Sequence, residues 1–219
     1  MATHAGTPMP YLTHSIFYSL QGEGAWSGRP AVFVRFAGCN LWSGREQDRA
    51  AALCRFCDTD FVSTKDGRGG RFADPQQLVA RIVSLWPDAN VPPYVIFTGG
   101  EPALQLDAEL ITACHRRGFQ VAVETNGTRS LPQGLDWVCV SPKPGTELMI
   151  DRGDELKLVY PVPGLHPQAY AGLAFRHFYL QPLDEGGEGG THIAAALEYC
   201  LRHPQWSLSL QLHKWIGIE

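Results

Sequence analysis

Six cysteines are spread unevenly along the 219-residue sequence, and three of them have a spacing that suits a metal centre. Cys54 and Cys57 form a Cys-x2-Cys pair, and 14 residues separate Cys39 from Cys54. A structural zinc site uses four ligands, and a cluster that only transfers electrons usually has four cysteines. Three cysteines would leave one metal position open for chemistry. Zinc with a histidine as fourth ligand remains an alternative, although no histidine occurs between residues 15 and 114.

The other cysteines, Cys114, Cys139 and Cys200, stand alone in apolar segments. Free cysteine in such surroundings usually behaves as a small buried hydrophobic residue, and we expect that of all three. The first ten residues lack both a positively charged start and an apolar segment, so no secretory signal is predicted. We therefore expect a cytoplasmic protein without disulfides.

Polar residues and glycines follow several predicted strands at the point where each strand ends. Ligands of parallel sheets bind at that edge. One such turn could be connection chemistry alone, but four in succession favour a binding site. The groups are Thr98, Gly99, Gly100 and Glu101; Glu124, Thr125, Asn126 and Gly127; Ser141, Pro142 and Lys143; and Gln181.

The elements that must position these residues alternate between strand and helix patterns. This alternation predicts an α/β domain with a largely parallel sheet. Helices are predicted to begin after Asp74, after Asp107 and at Thr191, and the glycine-rich residues 65–70 and 184–190 are predicted to be mobile loops or lids. Strands are predicted at residues 31–36, 95–99, 119–124, 137–141, 155–160, 176–181 and 206–210.

Composition and charge exclude several classes of protein. With 44% hydrophobic and 18% charged residues the chain can bury one core, and no apolar run reaches the roughly 18 residues of a membrane span. The net charge is −4 and no basic block occurs, which argues against nucleic acid as a partner. We expect residues 1–10 to be a flexible leader and residues 11–219 to form a single domain.

The cysteine triad, ending in Cys-x-aromatic-Cys, and the sequence TGGEP at residues 98–102 resemble the radical S-adenosylmethionine superfamily. That superfamily usually has three residues between its first two cysteines. Here the composition of the 14 intervening residues predicts a short helical excursion that returns Cys54 to the cluster. Further motifs together resemble the 7-carboxy-7-deazaguanine synthase family from about Tyr18 onward. They are SLQGEG, VRFAGCNLW, CDT, ETNG, SPK, ELKLVY and YLQPL.

This resemblance implies a partial, modified (β/α)6 radical SAM barrel and its cofactors. A [4Fe-4S] cluster would be held by Cys39, Cys54 and Cys57, with S-adenosylmethionine on the fourth iron. Electron transfer from the reduced cluster would then yield a 5′-deoxyadenosyl radical. Glycines without side chains would let the backbone approach the methionine amine. The resemblance assigns S-adenosylmethionine to Phe56, Thr98, Gly99, Gly100, Glu124, Ser141, Lys143 and Gln181.

The resemblance also implies the reaction, which is conversion of 6-carboxy-5,6,7,8-tetrahydropterin to 7-carboxy-7-deazaguanine with loss of ammonia, on the route to queuosine. It implies Mg2+ at Thr59, a reducing electron donor such as flavodoxin, and a homodimer. Arg35 could pair bidentately with the substrate carboxylate. The α-carboxylate of Glu219 would contact the pterin, less securely because of the adjacent side-chain charge. The substrate residues implied are Gln21, Glu23, Arg35, His213 and Glu219.

Two alternatives compete with this interpretation. An activating enzyme would use the same radical cofactor to take hydrogen from a glycine of a partner protein. A zinc or cluster module without catalysis would only bind a partner. The role of Lys157, in the predicted strand at residues 155–160, is left open between pocket wall and sheet packing.

Overall fold

A computed structural model describes residues 9–62, 67–87, 90–184 and 190–219 of the chain. Among these residues one nine-stranded sheet forms, in the order β3-β1-β2-β4-β5-β6-β7-β8-β9. Strand β1 pairs antiparallel with β2 and β3, and every pairing from β2 to β9 is parallel. The strands are β1 Tyr11–Leu20, β2 Pro30–Phe36, β3 Gly70–Phe72, β4 Tyr94–Gly99, β5 Gln120–Thr125, β6 Trp137–Val140, β7 Arg152–Tyr160, β8 Ala174–Pro182 and β9 Trp206–Leu208.

The α-helices begin where side chains can satisfy their first backbone N–H groups. In α1 (Pro75–Val83) the Asp74 carboxylate accepts from the Gln77 N–H, and in α2 (Ala108–His115) Asp107 accepts from the Leu110 N–H. Two further helices, α3 (Gly190–Arg202) and α4 (Leu212–Ile216), follow β8 and β9. The connections from β5 to β6 and from β6 to β7 contain no α-helix among the described residues, so the barrel is partial.

Alternation along the strands separates the core from the interior of the curved sheet, because successive side chains point to opposite faces. In β2, Val32, Val34 and Phe36 pack in the core cluster that includes residues of α1 and α2. Residues 31, 33 and 35 therefore face the other side. The same alternation in β7 directs Leu156 and Leu158 into a second core cluster beside α3. The interior face receives the remaining side chains, and many of them are polar.

The predicted strands and the caps of α1 and α2 are confirmed, with ends that differ by one to three residues. Two features differ. Strand β1 was not predicted, because its alternation of apolar and polar residues is irregular. Gly70, expected in a loop, is the first residue of β3. Residues 65–66 and 185–189 of the two predicted loops, and residues 1–8 of the predicted leader, lie outside the described residues.

Candidate active site

The interior face of the sheet and the loops at its carboxyl edge enclose a cavity of about 290 Å3. Parallel register brings equivalent positions side by side, as Arg35 of β2 lies opposite Thr98 of β4 and Glu124 of β5 opposite Cys139 of β6. All 17 residues assigned from the sequence to a cofactor, the substrate or a metal line this cavity. They are Gln21, Glu23, Arg35, Cys39, Cys54, Phe56, Cys57, Thr59, Thr98, Gly99, Gly100, Glu124, Ser141, Lys143, Gln181, His213 and Glu219.

The segment between Cys39 and Cys54 is a closed excursion. The Leu53 N–H donates to the Leu41 carbonyl at 3.1 Å, so residues 42–52 leave and rejoin the chain at nearly the same point. They contain the predicted short helix, a 3-10 helix at Glu46–Ala51. When residues 42–52 are left out, only residues 40, 41 and 53 lie between Cys39 and Cys54, and this number equals the three-residue spacing usual for the superfamily.

The three thiols of the triad face one another across this end of the cavity. The Cys54 thiol hydrogen-bonds to Cys57, which lowers the pKa of Cys57 to about 6 and raises the pKa of Cys54. Burial raises the pKa of Cys39. Within the described parts of the chain, no three His, Cys, Asp or Glu side chains converge on a position for one metal ion. A multi-iron cluster, whose thiolates each bind a different iron, suits this spacing better than a single zinc ion.

Backbone contact leaves no room for side chains in the glycine segment that follows β4. A Cβ at position 100 would lie 1.8 Å from the Gly38 carbonyl oxygen, and one at Gly99, whose φ is +118°, would lie 2.4 Å from the Phe36 oxygen. The next residue, Glu101, is fully buried and accepts hydrogen bonds from Thr125, Asn126 and Ala103. The segment is thereby fixed beside the residues that lead into Cys39.

A half-buried lysine faces the thiols from the loop after β6. Lys143 Nζ donates to the Ser141 carbonyl and hydroxyl oxygens, each at 2.7 Å. Burial lowers the pKa of Lys143, while the nearby Cys54 and Cys57 act in the opposite direction. A cation at this position favours deprotonated thiols, the form that binds iron.

Two buried polar atoms on the cavity wall have no hydrogen-bond partner among the described residues. They are Nε of Arg35 and Oε1 of Gln181. The Arg35 guanidinium lies over the Phe17 ring, 5.5 Å from its centroid. Because an unsatisfied buried polar atom costs about 1–3 kcal/mol, both atoms are suited to receive a ligand.

The QGEG turn after β1 carries two of the predicted substrate residues. Gln21 Nε2 donates to Glu124 at 2.8 Å, and the Glu23 N–H donates to Gln21 Oε1 at 3.1 Å. The second oxygen of Glu124 accepts from the Thr98 hydroxyl at 3.2 Å. These bonds join the turn to the ends of β4 and β5.

Glu23 forms a buried ion pair with Lys157, which places Lys157 on the pocket wall. Gln211 Nε2 also donates to Glu23 at 3.1 Å. Burial alone would raise the pKa of Glu23, but the charge and hydrogen bond of Lys157 hold it below its ordinary value. Burial would lower the pKa of Lys157, yet the Glu23 and Glu124 carboxylates raise it well above its ordinary value. Both groups are therefore charged near neutral pH.

Cys139, which lines the cavity, and Glu155, which contacts Cys139, were not assigned to the site from the sequence. Glu155 is 4% exposed, accepts from the Ala25 N–H at 3.1 Å and contacts the Cys139 thiol at 3.5 Å. Burial raises the pKa of both groups. Cys139 and Cys114 are buried as predicted, whereas Cys200 is partly exposed. The sequence feature that could have placed Glu155 and Lys157 on the interior face is their alternation with leucines in β7, because successive side chains of a strand point to opposite faces.

The outer rim of the cavity is made by α4 and the residues that follow it. Lys214 Nζ lies 2.5 Å from Asp58 Oδ2 and 2.6 Å from Asp184 Oδ2, so it links the loops after Cys57 and after β8. His213 packs against Gly22, where a Cβ would lie 2.1 Å from its Nδ1. The Glu219 side chain pairs with Arg68 and its backbone oxygen accepts from Ser19 at 2.7 Å, so its extra negative charge is compensated.

Comparisons with known proteins agree with this geometry. The model of the radical SAM superfamily matches residues 48–147, a stretch that begins inside the excursion. The 7-carboxy-7-deazaguanine synthase of Bordetella pertussis is 56% identical over 210 residues, 96% of this chain and 100% of the relative. The chain belongs to the 7-carboxy-7-deazaguanine synthase family. A synthase of the same name from Bradyrhizobium diazoefficiens is 57% identical, again over 96% of this chain and 100% of its own.

A solved structure extends the likeness of this synthase family member to the fold. The crystal structure of QueE from Escherichia coli matches with a TM-score of 0.70 at 26% identity, over 93% of this chain and 95% of that one. The predicted partial radical SAM barrel is thus confirmed. No helix within the described ranges is long and apolar enough to cross a membrane.

Proposed function

We propose that the chain converts 6-carboxy-5,6,7,8-tetrahydropterin to 7-carboxy-7-deazaguanine, releasing ammonia, inside the cavity described above. The observation that carries this assignment is the position of Arg35. Its side chain lines the same cavity as the cysteine triad, and its Nε has no hydrogen-bond partner among the described residues. A radical cofactor and a fixed cation in one pocket suit a small substrate with a carboxylate.

Cys39, Cys54 and Cys57 would hold a [4Fe-4S] cluster, and three facing thiols beside the half-buried Lys143 support this. S-adenosylmethionine would contact Gly99 and Gly100, together with Phe56, Thr98, Glu124, Ser141, Lys143 and Gln181. When bound, the reduced cluster and S-adenosylmethionine supply the radical that takes a hydrogen from the substrate. The role of this chain is to hold S-adenosylmethionine and the substrate. Gln181 Oε1 has no hydrogen-bond partner among the described residues, so it can accept a hydrogen bond from either molecule.

The substrate would be oriented by charge at one end and by hydrogen bonds at the other. Arg35 would bind its carboxylate bidentately, and loss of such a desolvated partner costs about 2–5 kcal/mol. Glu23 can accept from the amidine-like edge of the pterin, because Lys157 and Gln211 leave part of its acceptor capacity free. Gln21, His213 and Glu219 would complete the wall on that side.

Thr59 would contribute to a Mg2+ site shared with water and the substrate carboxylate. Its position on the cavity wall beside Cys57 supports this, and Mg2+ commonly keeps waters and takes few protein ligands. The neighbouring Asp58 is engaged by Lys214, so Thr59 would not be assisted by that carboxylate. A reducing electron donor such as flavodoxin and a homodimer belong to the proposal through the family resemblance alone.

Anaerobic reconstitution followed by product analysis tests the assignment. The reconstituted chain should contain four irons and four sulfides. With the tetrahydropterin, S-adenosylmethionine, Mg2+ and a reductant it should release ammonia and a product with the mass of 7-carboxy-7-deazaguanine. S-adenosylmethionine should persist through many turnovers, whereas an activating enzyme would consume it stoichiometrically.

Two variants serve as matched controls. Cys54→Ala should lose the cluster and the product together. Arg35→Gln should keep the cluster and S-adenosylmethionine binding but lose most product, since only the substrate cation is removed. An intact cluster in the unaltered chain without any deazaguanine product would refute the proposed reaction.

A further inference from the structure

One cation of the excursion reaches back to the segment between the second and third cysteines. Arg49, in the 3-10 helix Glu46–Ala51, donates through Nη1 to the Arg55 carbonyl at 2.8 Å and to the Cys57 carbonyl at 3.1 Å. Its guanidinium carbon lies 4.1 Å from the centroid of the Trp42 ring. Its Nε donates to both oxygens of Glu46 at 2.8 and 2.9 Å.

We propose that Arg49 is a positioning residue that holds the Cys54–Cys57 segment in the geometry that binds the cluster. This inference rests on the proposed assignment of the [4Fe-4S] cluster to Cys39, Cys54 and Cys57. The excursion separates Cys39 from Cys54 along the sequence, but it would also stabilise the Cys54–Cys57 segment through Arg49.

The anchoring of the excursion makes Arg49 a fixed donor. Trp42 is 8% exposed, packs edge-on against Phe61 at 5.6 Å between ring centroids, and donates through Nε1 to the Arg45 carbonyl. Arg49 lies over this anchored ring with a side chain that is 29% exposed. The Glu46 partner is 78% exposed, so that ion pair orients the guanidinium and adds little stability.

The planar guanidinium is what allows all of these contacts at once. It stacks on an aromatic ring while its N–H groups donate in fixed directions, which a lysine ammonium cannot reproduce. Hydrogen bonds from a charged donor are stronger than neutral ones. The two acceptor carbonyls belong to Cys57 itself and to a residue between the two cysteines, so their restraint limits how far the Cys57 thiolate can move from the cluster.

Iron retention measures this restraint without recourse to activity. The unaltered chain, Arg49→Gln, Arg49→Lys and the control Arg45→Gln are reconstituted anaerobically, and iron and labile sulfide per chain are determined. Arg45 is an exposed cation of the same excursion, and no hydrogen bond among the described residues involves its guanidinium. Iron loss to a chelator is then followed as a first-order rate, and thermal unfolding of each cluster-free chain reports on the fold.

Arg49→Gln should lose iron about tenfold faster or more, since hydrogen bonds from a charged donor are stronger than those from a neutral one. Arg49→Lys should resemble Arg49→Gln, and Arg45→Gln should resemble the unaltered chain, with all melting temperatures close together. The proposed role of Arg49 is refuted if Arg49→Gln or Arg49→Lys retains iron as the unaltered chain does, or if Arg45→Gln loses iron as fast as Arg49→Gln. Failure of the unaltered chain to hold four irons would instead refute the proposed function.

Discussion

Replacing Lys157 by methionine should destabilise the protein through the charge that it leaves behind on Glu23. The side chains of this pair are only 7% and 14% exposed, so water cannot replace the lost partner. Removing one member of a buried ion pair costs about 3–5 kcal/mol. The Gln211 amide, 3.1 Å from Glu23, remains as a neutral donor and places the expected loss toward the lower end of that range.

The loss should depend on pH in a direction that the pKa shifts determine. In the unaltered protein the pKa of Glu23 is lowered, so the stability it contributes is complete above its ordinary value of about 4.3 and is lost as the pH falls through the lowered pKa. Without Lys157, burial would raise the pKa of Glu23. The variant is then penalised most above that raised pKa, and protonation relieves the penalty, so the difference should be larger at about pH 7.5 than at about pH 5.

Anaerobic thermal unfolding followed by circular dichroism, at matched iron content, measures the effect. A change of 1 kcal/mol shifts the Tm of a chain of this size by about 2–4 °C, so Lys157→Met should melt roughly 6–20 °C lower. The double variant Glu23→Gln/Lys157→Met should recover part of the loss, because no charge is stranded. A shift within about 2 °C, or a double variant less stable than the single one, would contradict the buried-pair argument.

Three other changes test separate parts of the pocket. Arg35→Lys should raise the KM for the pterin by on the order of 30-fold at unchanged iron content, since a lysine cannot form the bidentate pair. An unchanged KM would show that Arg35 does not bind the substrate carboxylate. Gly100→Ala should weaken S-adenosylmethionine binding in calorimetry, because its Cβ would lie 1.8 Å from the Gly38 carbonyl oxygen. Unchanged affinity would contradict the requirement for glycine at this position. Glu155→Ala should raise the KM for the pterin several-fold by releasing the Ala25 N–H, and the KM for S-adenosylmethionine should stay constant.

The sequence was sufficient for the elements whose signals are local. The caps at Asp74 and Asp107 and the parallel strands were predictable, because the features that determine them lie within a few residues of one another. Strand β1 was not, since its pairing with β2 and β3 depends on residues up to 61 positions away, as in the pairing of Tyr11 with Phe72.

The residues that line the cavity were predictable where a motif contained them, whereas the contacts between motifs were not. Glu23 and Lys157 are 134 residues apart, and no local pattern indicates that one neutralises the other. The alternation in β7 could have placed Glu155 and Lys157 on one face, but which strand end lies beneath the QGEG turn depends on the curvature of the whole sheet. Contacts of this kind are set by the tertiary fold.

The cysteine spacing also differs between the sequence and the folded chain. Counted along the chain, 14 residues between Cys39 and Cys54 depart from the superfamily. When residues 42–52, which the Leu53–Leu41 hydrogen bond closes off, are left out, three residues remain between the two cysteines. Since loop-closure entropy grows only slowly with length, a closed excursion of this size costs little more than a short turn. The contacts of Arg49 with the Trp42 ring and with the Arg55 and Cys57 carbonyls can offset that cost.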